Sequence, residues 1–534
     1  MSIYSSPDKS FIESLQIHLP SALPEFLLQQ RWFGGKARAI RSVEISDIVP
    51  LGSLAYLTLA RIHYASGPED TYAIPLIRAS KEPAPPFLTI PQNSVEAIFL
   101  KDALTDEQFL TQLLEAIGNN ISLPGIRGQI RAISTSALPS LLQPSQGPLK
   151  PSIMRTEQSN SSVAYENRLM LKLFRRVAEG INPDLEMAAF LTEKTSFRNV
   201  PLLAGSLEYW SESGARTSLG ILQGYIANQG DAWQFTLKAL ADYYGKALRW
   251  PGLGADEMPS APLLSLCRQP IPDEARQRIG TYLDSAALLG RRTAELHLAL
   301  ASPTEDPNFT PEPFSETDQQ AFVNSALQLS SANFDLLRRL KDGMPDHARN
   351  ESERILKLEE SSRRRFQLAA GLKTSAMMTR IHGDYHLGQV LFTGSDFVII
   401  DFEGEPARPL AERRKKRSPL QDVAGMLRSF HYAACAPLLQ NDGKNLAAEN
   451  IQLLGEWAQY WQKWVSATFL KTYLEVAGNA IFIPKGREEL ALLLDVYLLD
   501  KAVYELGYEL NNRPTWVHIP LDGISQLLHP DPQV

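Results

Sequence analysis

Cysteine is nearly absent: Cys267 and Cys435 are the only two among 534 residues. Two thiols cannot build the multi-bridge framework of a small secreted domain, nor a four-thiolate zinc site. Such usage fits reduced thiols in a cytoplasmic protein. Long apolar runs are missing as well. The most apolar stretch, Leu490 to Leu499, is interrupted by Asp495 and is far short of the ~20 residues a membrane-spanning helix needs. The opening MSIYSSPDKS lacks a basic segment followed by an apolar one, so no secretory signal is expected. A large excess of one charge sign is lacking too. The formal net charge is −7, which provides no global field for nucleic acid or an anionic membrane. A glycine-rich phosphate loop is also lacking: no G-x-G-x-x-G precedes Lys172, and no Walker A motif occurs.

What is present describes a large globular chain. Hydrophobic residues make up 44% and charged residues 21%, near the globular average, which excludes a mostly disordered protein. A prior of one domain per ~150 residues allows three or four domains. The first ninety or so residues look β-rich. A strand-like run from Tyr56 to Tyr64, with Leu57 and Leu59 alternating with Thr58 and Ala60, meets the turn signal Ser66-Gly67-Pro68-Glu69 and a second run from Tyr72 to Ile77. That pattern predicts a hairpin on a small sheet. Lys81 to Pro91 and Ser136 to Pro151 read as linkers. Thr105 and Gln108 have capping-box spacing ahead of an apolar helical face, which predicts a helix over 105–117.

Beyond residue 151, strand-like runs (Val163–Tyr165, Leu169–Phe174, Leu219–Ile226) surround one helix start at Asn182-Pro183. From about 228 the pattern is mostly helical, with one β interruption over 389–402. The expected fold class is α+β. A small β-rich lobe is followed by a mostly helical one with a cleft between, divided as 1–90, 91–227 and 228–534.

The chemistry concentrates in His382-Gly383-Asp384-Tyr385-His386-Leu387-Gly388-Gln389, followed by Val390-Leu391-Phe392, a turn at 393–396, and Phe397-Val398-Ile399-Ile400-Asp401-Phe402-Glu403. The pattern is loop, strand, tight turn, buried strand. Asp384, Gln389 and Asp401 can therefore converge at one end of a hairpin. Phosphoryl transfer needs such a set: one carboxylate to orient the attacking hydroxyl, and further oxygens to hold Mg²⁺ against nucleotide phosphates. Gln389 stands where protein kinases carry Asn, and Asp401-Phe402-Glu403 where they carry Asp-Phe-Gly. The His-Gly-Asp start resembles small-molecule kinases of the aminoglycoside-phosphotransferase type. A competing reading as a metal hydrolase, with His382, Asp384 and His386 as alternate ligands, fails for want of further His or Cys and because Gly383 argues for a loop.

A kinase also needs a lysine on the phosphates and a carboxylate to hold it. Lys172, on the strand-like run 169–174, and Glu186, one turn into the helix begun by Asn182-Pro183, match that requirement. Ahead of Lys172, Gln158-Ser159-Asn160-Ser161-Ser162 could offer N–H groups and hydroxyls to phosphates, Ser161 and Ser162 above all; a plain turn is the competing reading. Arg413 to Arg417 is a basic run, expected as a solvated loop. Trp457, Tyr460, Trp461 and Trp464 form a helical stripe expected in a core. Tyr497, Lys501, Tyr504, Glu505 and Tyr508 share a helical face whose aromatic and polar groups suit a sugar, though a helix packed on a neighbour would look alike.

With these residues in hand, the chain resembles the bacterial maltokinases, a family within the aminoglycoside-phosphotransferase and protein-kinase-like superfamily. The resemblance rests on Gln30-Arg31-Trp32-Phe33-Gly34-Gly35-Lys36, Ser161 to Arg176, Asn228 to Trp233, and His382 to Gln389. It continues through Asp401 to Pro406, Ser418 to Phe430, Lys501 to Glu509, and Arg513-Pro514 with Trp516. Residues 136–151 and 305–350 fit less well. The resemblance implies a bilobal protein-kinase-like fold with an added N-terminal β-rich cap subdomain, and ATP- and Mg²⁺-dependent phosphorylation of maltose to maltose 1-phosphate for glycogen synthesis from trehalose. Asp384 would face the sugar hydroxyl. Gln389, Asp401 and Glu403 would hold the metal. Lys172, Glu186, Ser161, Ser162, Gln223 and Tyr225 would serve the nucleotide, and His382, Arg428, Lys501, Tyr504, Glu505 and Tyr508 the sugar. A monomer or homodimer is expected, open to association with trehalose synthase but not with nucleic acid or membrane. A kinase of another sugar or amino sugar, or a non-catalytic glucan-binding module, would share much of this pattern.

Overall fold

The structure is a computed structural model and describes residues 9–79, 81–84, 87–91, 97–142, 149–154, 160–254, 257–372, 374–440 and 448–528. Gln158 and Ser159 of the expected phosphate-covering stretch lie outside these. The chain forms two compact units, Met1–Ala227 and Asn228–Val534.

The first unit is built on two antiparallel sheets. One runs Ile40–Leu51, Ala55–Tyr64, Asp70–Ala79, Ala97–Asp102, Leu88–Pro91, with Arg176–Val177 also on Asp70–Ala79. The other runs Ser122–Pro124, Gly128–Ser134, Leu203–Ser211, Arg216–Gly224, Leu169–Phe174, Asn160–Tyr165, Pro151–Met154. The expected hairpin forms, with Ala55 opposite Ile77 and Ile62 opposite Asp70. Its alternation separates two cores rather than core from solvent. Tyr56, Ala60 and Ile62 pack with Phe11, Leu15, Leu19 and Leu23 of a helix at Lys9–Gln29. Leu57 and Leu59 pack with Phe109 and Leu113 of the helix Glu107–Gly118. Successive strand residues face opposite sides, so a sheet covered on both faces is apolar at nearly every position.

Three local readings are corrected. The helix Lys9–Gln29 was not expected; Pro20 and Pro24 inside it are breaker signals that its buried four-residue spacing overrides. Part of the expected linker Lys81 to Pro91 is the strand Leu88–Pro91, held by burial of Leu88 and Ile90. The N-cap of Glu107–Gly118 is Asp106, whose carboxylate accepts from Phe109 N at 2.9 Å. Thr105 is not the cap because its hydroxyl donates to Asp102 O in the preceding turn.

The second unit is mostly helical, and the aromatic stripe is core: Trp457, Tyr460, Trp461 and Trp464 are all buried. The expected hairpin appears as Val390–Phe392 paired with Phe397–Ile399. Arg292 clamps its turn through two 2.8 Å bonds to the Asp396 carboxylate. The basic run is not a solvated loop. Arg413 Nη1 donates to Glu403 O at 3.0 Å, Lys416 pairs with Glu312, and Arg417 is half-buried against Glu412. Among the described residues no helix is long and apolar enough to cross a membrane.

Candidate active site

The loop carrying Asp384 is held from below by one buried carboxylate. Asp422, on the helix Leu420–Gln440, accepts from His382 N at 2.7 Å and from Gly383 N at 2.9 Å, and lies 3.1 Å from His297 Nε2. Burial opposes its charge, but His297 and these N–H groups outweigh that and hold its carboxyl below the usual range. Two glycines permit the packing. Gly383 has φ +83, a conformation side chains resist. At Gly425 a Cβ would meet Tyr385 O at 2.6 Å.

The end of the following hairpin brings the other oxygens together. Gln389 Nε2 donates to Asp401 Oδ2 at 2.9 Å. Carboxylate oxygens of Asp401 and Glu403 lie within 4.8 Å of each other. Asp401 has φ +65, a left-handed backbone that costs a non-glycine residue about 1–3 kcal/mol. Two carboxylates and an amide oxygen fit a hard divalent cation.

Asp384 opens onto a cavity in the second unit that also meets Glu405, Arg408, Arg417, Asp500, Lys501 and Tyr504. Lys501 Nζ is 3.6 Å from Asp384 Oδ1 and 4.8 Å from the Tyr504 ring. Burial lowers the Lys501 pKa, yet Asp384, Glu505 and Glu405 outweigh it and leave the ammonium above its usual value. Burial also lifts Asp500 above the usual carboxylate range, against Arg408, Lys501 and Arg417.

Four expected sugar contacts lie elsewhere. His382 is 1% exposed, its Nε2 bonded to Ile400 O at 2.9 Å and its ring between Tyr385 and Phe402; it braces the loop. Glu505 and Arg428 are buried against each other, with Nε to Oε2 at 2.8 Å. Tyr508 is exposed and sits against Arg513. It shares a helical face with Lys501 but lies seven residues on, about 10 Å further along the helix axis. None of the four lines the cavity at Asp384. Glu405, Arg408, Asp500 and Asp422 were not singled out. Glu405 and Asp422 stood inside the quoted motifs, and that was their only signal.

In the first unit, Lys172 is buried on Leu169–Phe174 and its Nζ lies 3.0 Å from Asp184 Oδ2. Asp184 and Glu186 both sit in the first turn of Pro183–Lys194, capped by Asn182. The sequence reading named Glu186 and passed over Asp184. Ser162 stands opposite Lys172 in the strand register. Ser161, the adjacent residue, faces the other side: its Oγ accepts from Arg175 Nε at 2.8 Å. The pairing of Ser161 with Ser162 as nucleotide ligands is thereby corrected, since neighbours on a strand point apart. Gln223 lies on Arg216–Gly224 opposite Met170, and Tyr225 N donates to Arg168 O at 2.7 Å.

Comparison with known proteins bears on the fold. Residues 26–106 match the model of the maltokinase N-terminal cap domain. A glucosamine kinase of Mycolicibacterium smegmatis is 22% identical over 376 residues, covering 70% of this chain and 78% of that one. A glucosamine kinase of Streptacidiphilus jiangxiensis is 23% identical over 148 residues, 28% of this chain and 31% of that one. Among solved structures, a glucosamine kinase in complex with glucosamine, ADP and inorganic phosphate superposes with a TM-score of 0.61 at 16% identity, covering 97% of this chain and 99% of the other. A second crystal form of a glucosamine kinase gives a TM-score of 0.62 at 16% identity, covering 96% and 99%. The chain has the fold of these kinases, with an N-terminal β-rich cap, as the resemblance to the maltokinases implied.

Proposed function

We propose that this chain is an ATP-dependent sugar kinase acting on maltose, with phosphorylation at the anomeric hydroxyl to give maltose 1-phosphate for α-1,4-glucan synthesis. The observation that carries the reading is the cavity at Asp384, where five carboxylates are matched by five cations. A balanced polar wall with an aromatic ring at Tyr504 suits a neutral sugar, whose hydroxyls need donors and acceptors alike. The cap-domain match supports maltose as that sugar.

In this mechanism Asp384 orients the hydroxyl and takes its proton late, as a loose phosphoryl-transfer transition state allows. The sugar oxygen bonds to the γ-phosphorus while the bond to ADP breaks. Lys501 keeps Asp384 aimed and adds positive charge beside the reacting oxygen. Lys172, with Asp184 and Glu186, serves the nucleotide phosphates. Gln389, Asp401 and Glu403 would hold Mg²⁺, which supplies charge neutralisation on the transferring group when bound. Association with a trehalose synthase belongs to the same reading.

An amino-sugar substrate is favoured by one observation, the glucosamine kinases among the relatives. It would need a carboxylate for an ammonium, and Glu405 and Asp500 already face Lys501 and Arg408. Nucleotide consumption measured over maltose, glucose and glucosamine decides between them, with ³¹P NMR of the product locating the phosphate. Preference for maltose and an anomeric phosphate is expected. Preference for glucosamine would replace the substrate, and no turnover with any sugar would leave a non-catalytic module.

A further inference from the structure

Lys172 and Asp184 are twelve positions apart, and the chain between them runs through the other sheet of the first unit. After the strand Leu169–Phe174, the segment Arg176–Val177 pairs antiparallel with Asp70–Ala79, Arg176 opposite Tyr72 and Val177 opposite Thr71. Ala73 N donates to Arg175 O at 2.8 Å in the same crossing. The chain then returns. Gly180 N donates to Arg216 O at 2.6 Å, Asn182 N donates to Ser218 Oγ at 2.9 Å, and Asn182 caps the helix that carries Asp184. Tyr72, Thr71 and Ala73 all lie in the region that matches the maltokinase cap domain. A strand of the cap sheet therefore connects the two halves of the buried pair.

Two successive arginines fasten this crossing to the cap. Arg176 Nη2 lies 2.6 Å from Asp70 Oδ1, but Arg176 is largely exposed, so solvent screens that pair. Arg175 is buried. Its Nη2 donates to Asp102 Oδ2 at 2.6 Å, and its guanidinium lies over the Trp32 ring at 4.5 Å. Asp102 ends the cap strand Ala97–Asp102, and Trp32 belongs to the cap as well. Arg175 Nε donates to Ser161 Oγ at 2.8 Å, beside Ser162, which stands opposite Lys172. One guanidinium thus joins the end of the Lys172 strand, the neighbouring strand and the cap. A buried charge held this way is costly to release, and small misplacements of a working group are costly in turn. We infer that Arg175 is a positioning residue for Lys172, acting through its bond to Asp102, so that the cap sets the affinity for ATP through this strand. The inference rests on the assignment of Lys172 to the nucleotide phosphates.

The test is a double-mutant cycle on the full chain, read by calorimetric titration with ATP and Mg²⁺ in the absence of sugar. Asp102→Asn loosens the hold on Arg175 while keeping the side chain's shape and the Oδ1 acceptor that Leu104 N uses at 3.0 Å, so this variant should fold. Alone it is expected to weaken ATP about fivefold, less than removal of Lys172 itself, because the lysine is displaced rather than lost. In the Lys172→Met background the same substitution should change ATP affinity by less than about twofold, since no ammonium remains to be displaced. The sugar KM of Asp102→Asn at saturating ATP should stay at the wild-type value. Unchanged ATP affinity in Asp102→Asn overturns the inference. So does an equal loss in the two backgrounds, which would make the pair packing alone. Wild-type ATP affinity in Lys172→Met would instead overturn the nucleotide role of Lys172, and the inference with it.

Discussion

The Lys501 ammonium lies 3.6 Å from the Asp384 carboxylate, joining the helix Arg487–Asn512 to the loop that carries Asp384. The carboxylate favours the ionised form of the lysine. The Lys501 pKa is raised above its usual value despite burial, so the stabilisation it gives is complete at neutral pH. That stabilisation is lost only as pH rises through the folded-state pKa, above the ordinary lysine value of about 10.4.

Asp384→Asn keeps the shape of the side chain and removes the proton acceptor. The variant should fold and bind nucleotide normally, while kcat falls at least ~10²-fold, the low end for loss of a general base. Circular dichroism, nucleotide titration and steady-state kinetics check this, and near-normal turnover would remove Asp384 from its role.

Lys501→Met removes the ammonium that anchors Asp384. We expect a fall in kcat of about tenfold, one hydrogen-bond-sized loss, with partial recovery in Lys501→Arg. A sugar KM that rises with kcat unchanged would instead make Lys501 a simple binding contact.

Asp422 is the support beneath the loop, and Asp422→Asn sets an amide donor against the N–H groups of His382 and Gly383. The second unit should lose about 1–3 kcal/mol to denaturant. The folded-state pKa of Asp422 is depressed, so its contribution is present above the unfolded value of about 3.9 and lost as pH falls through the folded one. The variant should therefore show a shallower loss of stability on acidification than the wild type. Equal acid sensitivity in the two proteins would mean that other carboxylates dominate.

The hairpin of Val390–Phe392 and Phe397–Ile399 was legible because everything that defines it lies within a few residues: apolar runs, a Gly-Ser-Asp turn, and carboxylates at the ends. Asp422 was legible only as part of a motif, since its partners His297 and His382 are brought to it by tertiary packing. The same holds for Lys172, whose neighbour Asp184 could not be told from Glu186 by spacing when both occupy one helical turn. Ser161 and Ser162 are different. Strand alternation alone requires them to face opposite sides, so their separation was available in the sequence. Sugar-facing residues were over-read because a helix shows one face to the cavity and another to its neighbours. Tyr504 and Lys501 fall on the first, Glu505 on the second.

Lys172 and Asp184 form a buried pair at 3.0 Å, and removing either partner leaves a charge that must find another. Lys172→Met should raise the KM for ATP by at least about tenfold, and Asp184→Asn should do likewise if Asp184 positions the lysine. Testing Glu186→Gln beside them separates the two acids. A KM unchanged in Asp184→Asn but raised in Glu186→Gln would return the positioning role to Glu186.

Gly425 sits inside the helix Leu420–Gln440, where alanine would ordinarily be better by about 1 kcal/mol. Here the added Cβ would lie 2.6 Å from Tyr385 O, a backbone atom that cannot swing aside like a side-chain tip. Tyr385 adjoins Asp384, and Gly383 on the other side is already at φ +83 with a neighbour at Gly404. The loop therefore has little room to retreat without moving Asp384. Gly425→Ala should lower kcat by about tenfold or more, since small misplacements of a catalytic group are costly, while thermal stability changes little because helix propensity and the local clash oppose each other. Full activity with raised stability would mean that the loop yields freely and that Asp384 is not held by its fit against this helix.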